Sequence, residues 1–300
     1  MTVTAAVLLV ALVAGLVVTL VSISRHPLVD PIDPTAEERW LVHRLARVPR
    51  LAAFAKRRVD PTVATGVVLT GCLATLLAAT VGVALLLDMV DENRGLARLD
   101  SGVARWGRDN ADSVAVSVLR VVTDLGGTPV AAAVLVVVGI VHLLWRREPH
   151  VALFLAVVGS GVAVINNLLK EVVDRDRPSI GPLEGFSGSS FPSGHSATAG
   201  ATWAAVALVV GRGRSRPVRA LLAGAAALVA AAVAASRAML GVHWLTDVIA
   251  GLVVGWGWFT LVAIAFGGRR QRFGEPVERL EVAVYEDRDE GITDKGSTAA

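Results

Sequence analysis

Apolar residues in this chain fall in long unbroken runs, and polar residues cluster between them. A helix rising about 1.5 Å per residue needs about 20 apolar residues to cross a hydrocarbon core roughly 30 Å thick. Seven stretches meet or approach that length: about 5–24, 62–90, 128–145, 151–169, 193–211, 219–237 and 245–267. The third and fourth meet at Trp145-Arg146-Arg147, which reads as a tight turn between two spans. The sixth is mostly Ala, Val and Leu, and its small residues would let neighbouring helices approach closely. The pattern predicts an all-α, polytopic membrane bundle with a six-span membrane domain over 62–267 and one extra N-terminal span over 1–24.

Composition supports that reading. Of 300 residues, 54% are hydrophobic and 18% charged, with a mean hydropathy of +0.60. A soluble sphere needs more polar surface than this. With 29 basic against 26 acidic residues, the net charge is +3. That balance, with no basic stripe carrying interleaved aromatics, excludes a strongly basic nucleic-acid binder. The lone cysteine, Cys72, lies inside an apolar run, so no intrachain disulfide can form. Three lysines stand against 26 arginines, a bias of GC-rich, bacterial coding.

The basic residues also orient the chain. With the N-terminus outside, the inner segments hold 20 Lys and Arg and the outer ones 9, as the positive-inside rule requires. No basic residue precedes Arg25, so the first run lacks the charged start of a cleaved signal and is expected to be a retained span. Residues 25–61 read as a cytoplasmic linker. Thr35 and Glu38 form a capping box there, and Leu41, Leu45, Val48 and Ala52 give the apolar stripe of a surface helix. Residues 92–125 read as a mixed, amphipathic outer connection. Residues 268–300 read as a charged cytoplasmic tail.

Ionisable residues beside apolar spans are costly, which makes them candidates for function. Three clusters stand out: Lys170 to Pro178 after the fourth span, Pro192-Ser193-Gly194-His195 at the start of the fifth, and Ser236-Arg237 followed by His243 and Asp247 around the end of the sixth. Alternation of the spans puts all three on one face, the outer one. Lys170, Arg177 and Arg237 would bring together three cationic donors, a set suited to a phosphate. Ser193 and Gly194 open a helix whose N-terminus favours an anion. His243 and Asp247 stand at i and i+4, so the carboxylate can fix one ring nitrogen and raise the basicity of the other. His195 remains as an independent proton donor. Such a set could form a phosphohistidine on His243, with His195 protonating the leaving oxygen. Asp174, Arg175 and Asp176 read as loop ion pairs that place Arg177. Asn166 and Asn167 read as helix-to-helix hydrogen bonders, and Glu184 as part of an ordinary exposed loop. Trp244 reads as a membrane-interface residue. The set is cationic and lacks clustered carboxylates or cysteines, so neither a metal nor another cofactor is expected.

These three clusters closely resemble the signature of the type 2 phosphatidic acid phosphatase (PAP2) superfamily, whose site is shared with vanadium haloperoxidases: K-x6-R-P, P-S-G-H and S-R-x5-H-x3-D. Lys170, Arg177 and Pro178, then Pro192, Ser193, Gly194 and His195, then Ser236, Arg237, His243 and Asp247 meet all eleven specified positions in order. The resemblance covers roughly 60–267 and implies a six-span core. It implies His243 as nucleophile, His195 as acid and Asp247 as orienter. It also implies Lys170, Arg177, Ser193, Gly194 and Arg237 as phosphate ligands, with Pro178, Pro192 and Ser236 shaping the motifs. The expected activity is hydrolysis of a lipid phosphate or pyrophosphate at the non-cytoplasmic face of the cell membrane. The partners are the bilayer and a phosphorylated lipid. The same site could serve a lipid phosphotransferase. A haloperoxidase is disfavoured by the membrane spans, and a non-catalytic lipid-phosphate binder or transporter by the complete set of catalytic positions.

Overall fold

The computed structural model describes residues 2–23, 61–185 and 188–268. The expected linker helix over 35–58 and the charged tail fall outside the described residues. Among those described, the chain is all helix: α1 (Val3–Ile23), α2 (Pro61–Asp91), α3 (Ala97–Asn110), α4 (Ser113–Asp124), α5 (Thr128–Leu144), α6 (Pro149–Val173), α7 (Gly194–Gly211), α8 (Arg216–Met239) and α9 (Leu245–Gly268). Five of these, α1, the later part of α2, α6, α8 and most of α9, are long and apolar enough to cross a membrane. A sixth crossing arises if α4 and α5, bent by 42°, form one broken span. The expected span over 193–211, seen as the 18-residue α7 with Ser196, Thr198 and Thr202 in its sequence, is not among them.

α7, α8 and α9 pack together at the centre. Small residues make that possible. A Cβ on Gly251 would lie 2.5 Å from the Ser193 carbonyl oxygen, and one on Gly255 would lie 2.2 Å from that of Ala197. α8 turns a nearly continuous alanine face inward, from Ala220 to Ala238. α6 is tied to α9 by Trp258, whose indole Nε1 donates to the carbonyls of Val157 and Val158 (3.3 and 3.1 Å).

α1 lies antiparallel against α8. Val3, Val7 and Ala11 share a buried cluster with Ala232, Leu240 and Val242. At the other end, Arg216 Nε donates to the Ser22 carbonyl (3.2 Å). A Cβ on Gly15 would meet Gly224 O at 2.9 Å, so the two backbones cross at bare glycines. The loops α5–α6 and α7–α8 share the end opposite His243, joined by Glu148, which accepts from His142 Nδ1 (2.8 Å) and Arg212 (3.1 Å).

The connection over 92–125, expected to be mixed and amphipathic, is mostly helical. It folds into α3 and α4, each amphipathic, and the bend after α4 falls at Gly126-Gly127. Gly126 has to be bare there. A Cβ would lie 2.6 Å from the His195 carbonyl oxygen and 2.5 Å from Val233. The break therefore seats the start of α5 directly beside the start of α7.

Candidate active site

Three short segments converge at the end of the bundle where α6, α8 and the loop into α9 meet. Residues 174–178, leaving α6, zip onto 188–190. Ser190 N donates to Arg175 O (2.7 Å), and Arg175 N donates to Ser189 Oγ (3.0 Å). The 188–189 strip gathers the cations of the first motif. Lys170 Nζ donates to Ser189 O (2.5 Å), and Arg177 donates to Gly188 O through Nε (2.9 Å) and to Ser189 O through Nη2 (3.2 Å).

Arg177 also reaches the second arm. Its Nη1 donates to Val242 O (2.7 Å) and to His243 Nε2 (3.2 Å). A guanidinium carries only donors, so Nε2 is the ring nitrogen with the lone pair. The proton then sits on Nδ1, facing Asp247 Oδ2 at 3.6 Å and Ser190 Oγ at 3.5 Å. The first distance is just beyond a hydrogen bond, so the carboxylate acts on the ring as a close charge. His243 is 2% exposed and Asp247 0%. Burial pushes the His243 imidazole down to about 4, against the opposing pull of Asp247. The ring is therefore neutral at physiological pH. Burial likewise lowers the Arg177 guanidinium from its usual value.

Asp247 is held by three donors: Arg175 Nη1 on Oδ1 (2.5 Å), and Trp244 N (2.9 Å) and Ser190 Oγ on Oδ2. Arg175 is itself clamped. Its Nη2 donates to buried Asp100 of α3 (2.9 Å), its Nη1 to Thr246 Oγ1 (2.8 Å), and its guanidinium lies 5.6 Å from the centre of the Trp244 ring. Asp100 closes the circuit by accepting from Thr246 N (2.9 Å) and Thr246 Oγ1 (2.7 Å).

This corrects the expectation for Arg175, which places Asp247 rather than Arg177. It also gives Trp244 a structural task, since its Nε1 donates to Asp176 O (2.9 Å). Asp100 and Ser190 went unnoticed in the sequence. Asp100 lies about 70 residues from the nearest motif, and only its burial on an amphipathic helix marks it. Ser190 lies two residues before the second motif, in a serine-rich loop that offered no contrast.

His195 is half-buried in the first turn of α7, with Arg237, His243, Arg177 and Lys170 as its electrostatic neighbours. Arg237, buried near the end of α8, donates through Nη1 to Glu184 (2.9 Å), which brings that loop carboxylate to the site, contrary to its reading as part of an ordinary exposed loop. The Nε of Arg237 has no hydrogen-bond partner among the described residues. A buried unpaired donor is costly, and an oxyanion there would satisfy it. The second motif is placed less simply. Ser193 is fully buried, and its N–H donates to Asp247 O (3.0 Å). The amides offered by this helix start are therefore those of the first turn, from Gly194 onward. Pro178 and Pro192 are buried, and Ser236 Oγ turns back to Val233 O (2.7 Å), away from the cations.

The arrangement is a cationic pocket around a neutral, oriented imidazole with a second imidazole nearby. A family model described as PAP2 superfamily matches residues 149–271. Phosphatidylglycerophosphatase B of Bacillus subtilis is 32% identical over 161 residues, 52% of this chain and 77% of the relative. The chain belongs to the PAP2 superfamily.

Lipid A 1-phosphatase of Rhizobium johnstonii is 42% identical, over 38% of this chain and 46% of that one. A crystal structure described as the first transmembrane PAP2 type phosphatidylglycerolphosphate phosphatase, from Bacillus subtilis, aligns with a TM-score of 0.58 at 26% identity. It covers 68% of this chain and 98% of that one. The family match runs from α6 through α9. The protein is a multi-span membrane enzyme of phosphatase type.

Proposed function

We propose that this PAP2-type membrane lipid phosphatase hydrolyses a lipid phosphate or pyrophosphate through a phosphohistidine on His243, without a metal. The substrate class is phosphatidic acid, phosphatidylglycerophosphate or a polyprenyl pyrophosphate. The observation that carries this is the state of His243: buried, neutral, its Nε2 lone pair turned to Arg177 and its Nδ1–H turned to Asp247. That is the form a nitrogen nucleophile needs.

In the first step Nε2 forms a bond to phosphorus, and the bond from phosphorus to the leaving oxygen breaks. The electron pair goes to that oxygen, which takes a proton from His195. As the N–P bond forms, positive charge develops on the ring, and Asp247 stabilises it. Lys170, Arg177 and Arg237 neutralise the phosphoryl oxygens, which are spread over the equatorial positions in flight. In the second step His195 takes a proton from water, water oxygen attacks phosphorus, and the N–P bond breaks. Phosphate and neutral His243 result. The donors that hold the phosphoryl group are side-chain cations and helix amides, which perform the charge neutralisation that a metal would otherwise supply. The excess of Lys and Arg in the segments away from the site supports an active site on the non-cytoplasmic face.

The test is phosphate release by detergent-purified protein from these three substrates, with chelator present. His243→Ala is expected to abolish it. Full turnover by that variant would remove the assigned nucleophile.

A further inference from the structure

The phosphate pocket is lined by donors. Lys170, Arg177, Arg237 and the first-turn amides of α7 suit ionised phosphoryl oxygens, which accept. A water that enters to split the phosphoenzyme has a further need. It carries two protons, and His195 takes one of them. The nearby carboxylates are already engaged. Asp247 accepts from Arg175, Trp244 N and Ser190, and Glu184 accepts from Arg237. Asn166 offers an acceptor that is not engaged. It is 6% exposed on α6, and its Oδ1 has no hydrogen-bond partner among the described residues. This corrects the expectation that Asn166 bonds between helices.

We infer that Asn166 seats the hydrolytic water. Its Oδ1 accepts the water proton that His195 does not take, and this favours water over an alcohol as acceptor of the phosphoryl group. The inference rests on the phosphohistidine reading and deepens it at the second step.

Two relations place Asn166 there. It stands four residues before Lys170, on the same face of α6 and one turn deeper in the bundle. Its amide also lies against the first residue of α7. A Cβ on Gly194 would come 3.1 Å from Asn166 Nδ2 and 3.9 Å from its Cγ, so the bare glycine leaves room for this side chain. Gly194 directly precedes His195, and consecutive Cα atoms lie about 3.8 Å apart. The unpaired oxygen is thus held next to both the cationic pocket and the residue that handles the proton. A buried acceptor without a donor is costly, and a water in the site would satisfy it.

The step balances. The water oxygen forms its bond to phosphorus as the N–P bond breaks, and the electron pair of that bond returns to His243 Nε2. One water proton moves to His195. The other stays on the oxygen and is donated to Asn166 Oδ1 as a hydrogen bond. Methanol has a single O–H. Its proton goes to His195, and none remains for Asn166. Loss of the acceptor should therefore slow attack by water and spare attack by alcohol.

The experiment uses the detergent-purified full chain and radiolabelled phosphatidic acid, with and without methanol. Asn166→Leu keeps the shape and removes the acceptor. Asn166→Asp keeps the acceptor. In a single turnover of Asn166→Leu, rapid-quench trapping should show phosphoenzyme forming within about threefold of the normal rate, which also certifies folding. Its breakdown by water should slow about ten- to a hundredfold, the loss of one well-placed hydrogen bond. The ratio of methyl phosphate to inorganic phosphate should rise by a similar factor, and Asn166→Asp should hold it near normal. That ratio is read per turnover, so a lower yield of folded enzyme does not alter it. Equal slowing of formation and breakdown in Asn166→Leu would overturn the inference and make the amide a phosphate ligand through Nδ2. An unchanged product ratio would overturn it as well. If the unaltered enzyme released phosphate with neither trapped phosphoenzyme nor methyl phosphate, the phosphohistidine reading itself would fall, and the role of Asn166 with it.

Discussion

His243 sits 2% exposed, with Arg177 on one ring nitrogen and Asp247 and Ser190 facing the other. His195, across the site on α7, is half-buried and makes no side-chain hydrogen bond among the described residues. The two rings therefore differ in restraint more than in chemistry. A nucleophile gains from being fixed, because orientation removes entropy from the barrier. A group that first gives a proton to a leaving oxygen and then takes one from water must serve two positions, so a single fixed hydrogen bond would hinder it. The contrast fits the roles proposed for the two histidines.

The largest effect should separate them. His243→Ala is expected to cost about 10⁴-fold or more in turnover, as loss of a nucleophile does elsewhere. His195→Ala is expected to cost about 10²- to 10⁴-fold with a lipid substrate. With 4-nitrophenyl phosphate, whose leaving group needs little protonation, the His195→Ala loss in phosphoenzyme formation should shrink. The His243→Ala loss should not. Acid-quench trapping of labelled phosphoenzyme checks this directly. Accumulation of label in His243→Ala would reverse the assignment.

A second test asks whether the restraint of His243 originates where the structure puts it. The chain from α3 runs Asp100, Arg175, Asp247, His243. Arg175→Lys keeps the charge but loses the fork that binds Asp100, Thr246 and Asp247 together. It is expected to lower kcat about a hundredfold while KM changes little. Asp100→Ala also strands the Thr246 N–H and should cost about 1–3 kcal/mol of stability. A merely structural role would lower the amount of folded enzyme without changing kcat per folded molecule. Active-site titration of the phosphoenzyme distinguishes the two.

This chain of contacts also shows where sequence reasoning runs out. The residues that converge at the candidate site could be picked out because they stand in fixed, local spacings, and the alternation of spans put them on one face. The spans were legible because about 20 apolar residues signal a crossing in themselves. Asp100 was not legible. Its partner Arg175 lies 75 positions away, and no local pattern distinguishes a carboxylate that buries itself in a site from one on a solvated face. Arg175 was visible but was given to the wrong neighbour, because adjacency in sequence suggested Arg177. The break at Gly126-Gly127 was hidden for a related reason, since a glycine pair predicts a bend without naming what packs into it.

The pH dependence sharpens the comparison further. The His243 ring is pushed down to about 4, below the ordinary value near 6.5. The neutral, nucleophilic form therefore persists as pH falls to about 5, where an unperturbed ring would be roughly 3% neutral. Single-turnover phosphoenzyme formation, corrected for substrate ionisation, should keep most of its rate at about pH 5. An acid limb centred near 6.5 would show that the buried neutral state does not control the step. Stability has the opposite sign. Between about 6.5 and 4 the unfolded chain takes up this proton and the folded one does not, so folding should weaken as pH falls through that window.

The smallest effect concerns the ion pair of Arg237 with Glu184. A phosphate entering the site must compete with that carboxylate for a guanidinium whose Nε is still unpaired among the described residues. Removing the charge while keeping the shape, as in Glu184→Gln, should strengthen binding of vanadate and lower KM by about threefold, in the range of a partly exposed ion pair. The change in kcat should be slight, because the same donor serves ground state and transition state alike. If Glu184→Gln instead weakened vanadate binding, the carboxylate would have to hold Arg237 in place for the ligand rather than compete with it. Its effect on Arg237→Lys then decides. A competing carboxylate still tightens the site when removed from that background. An orienting one has no fork left to orient, and its removal should change nothing.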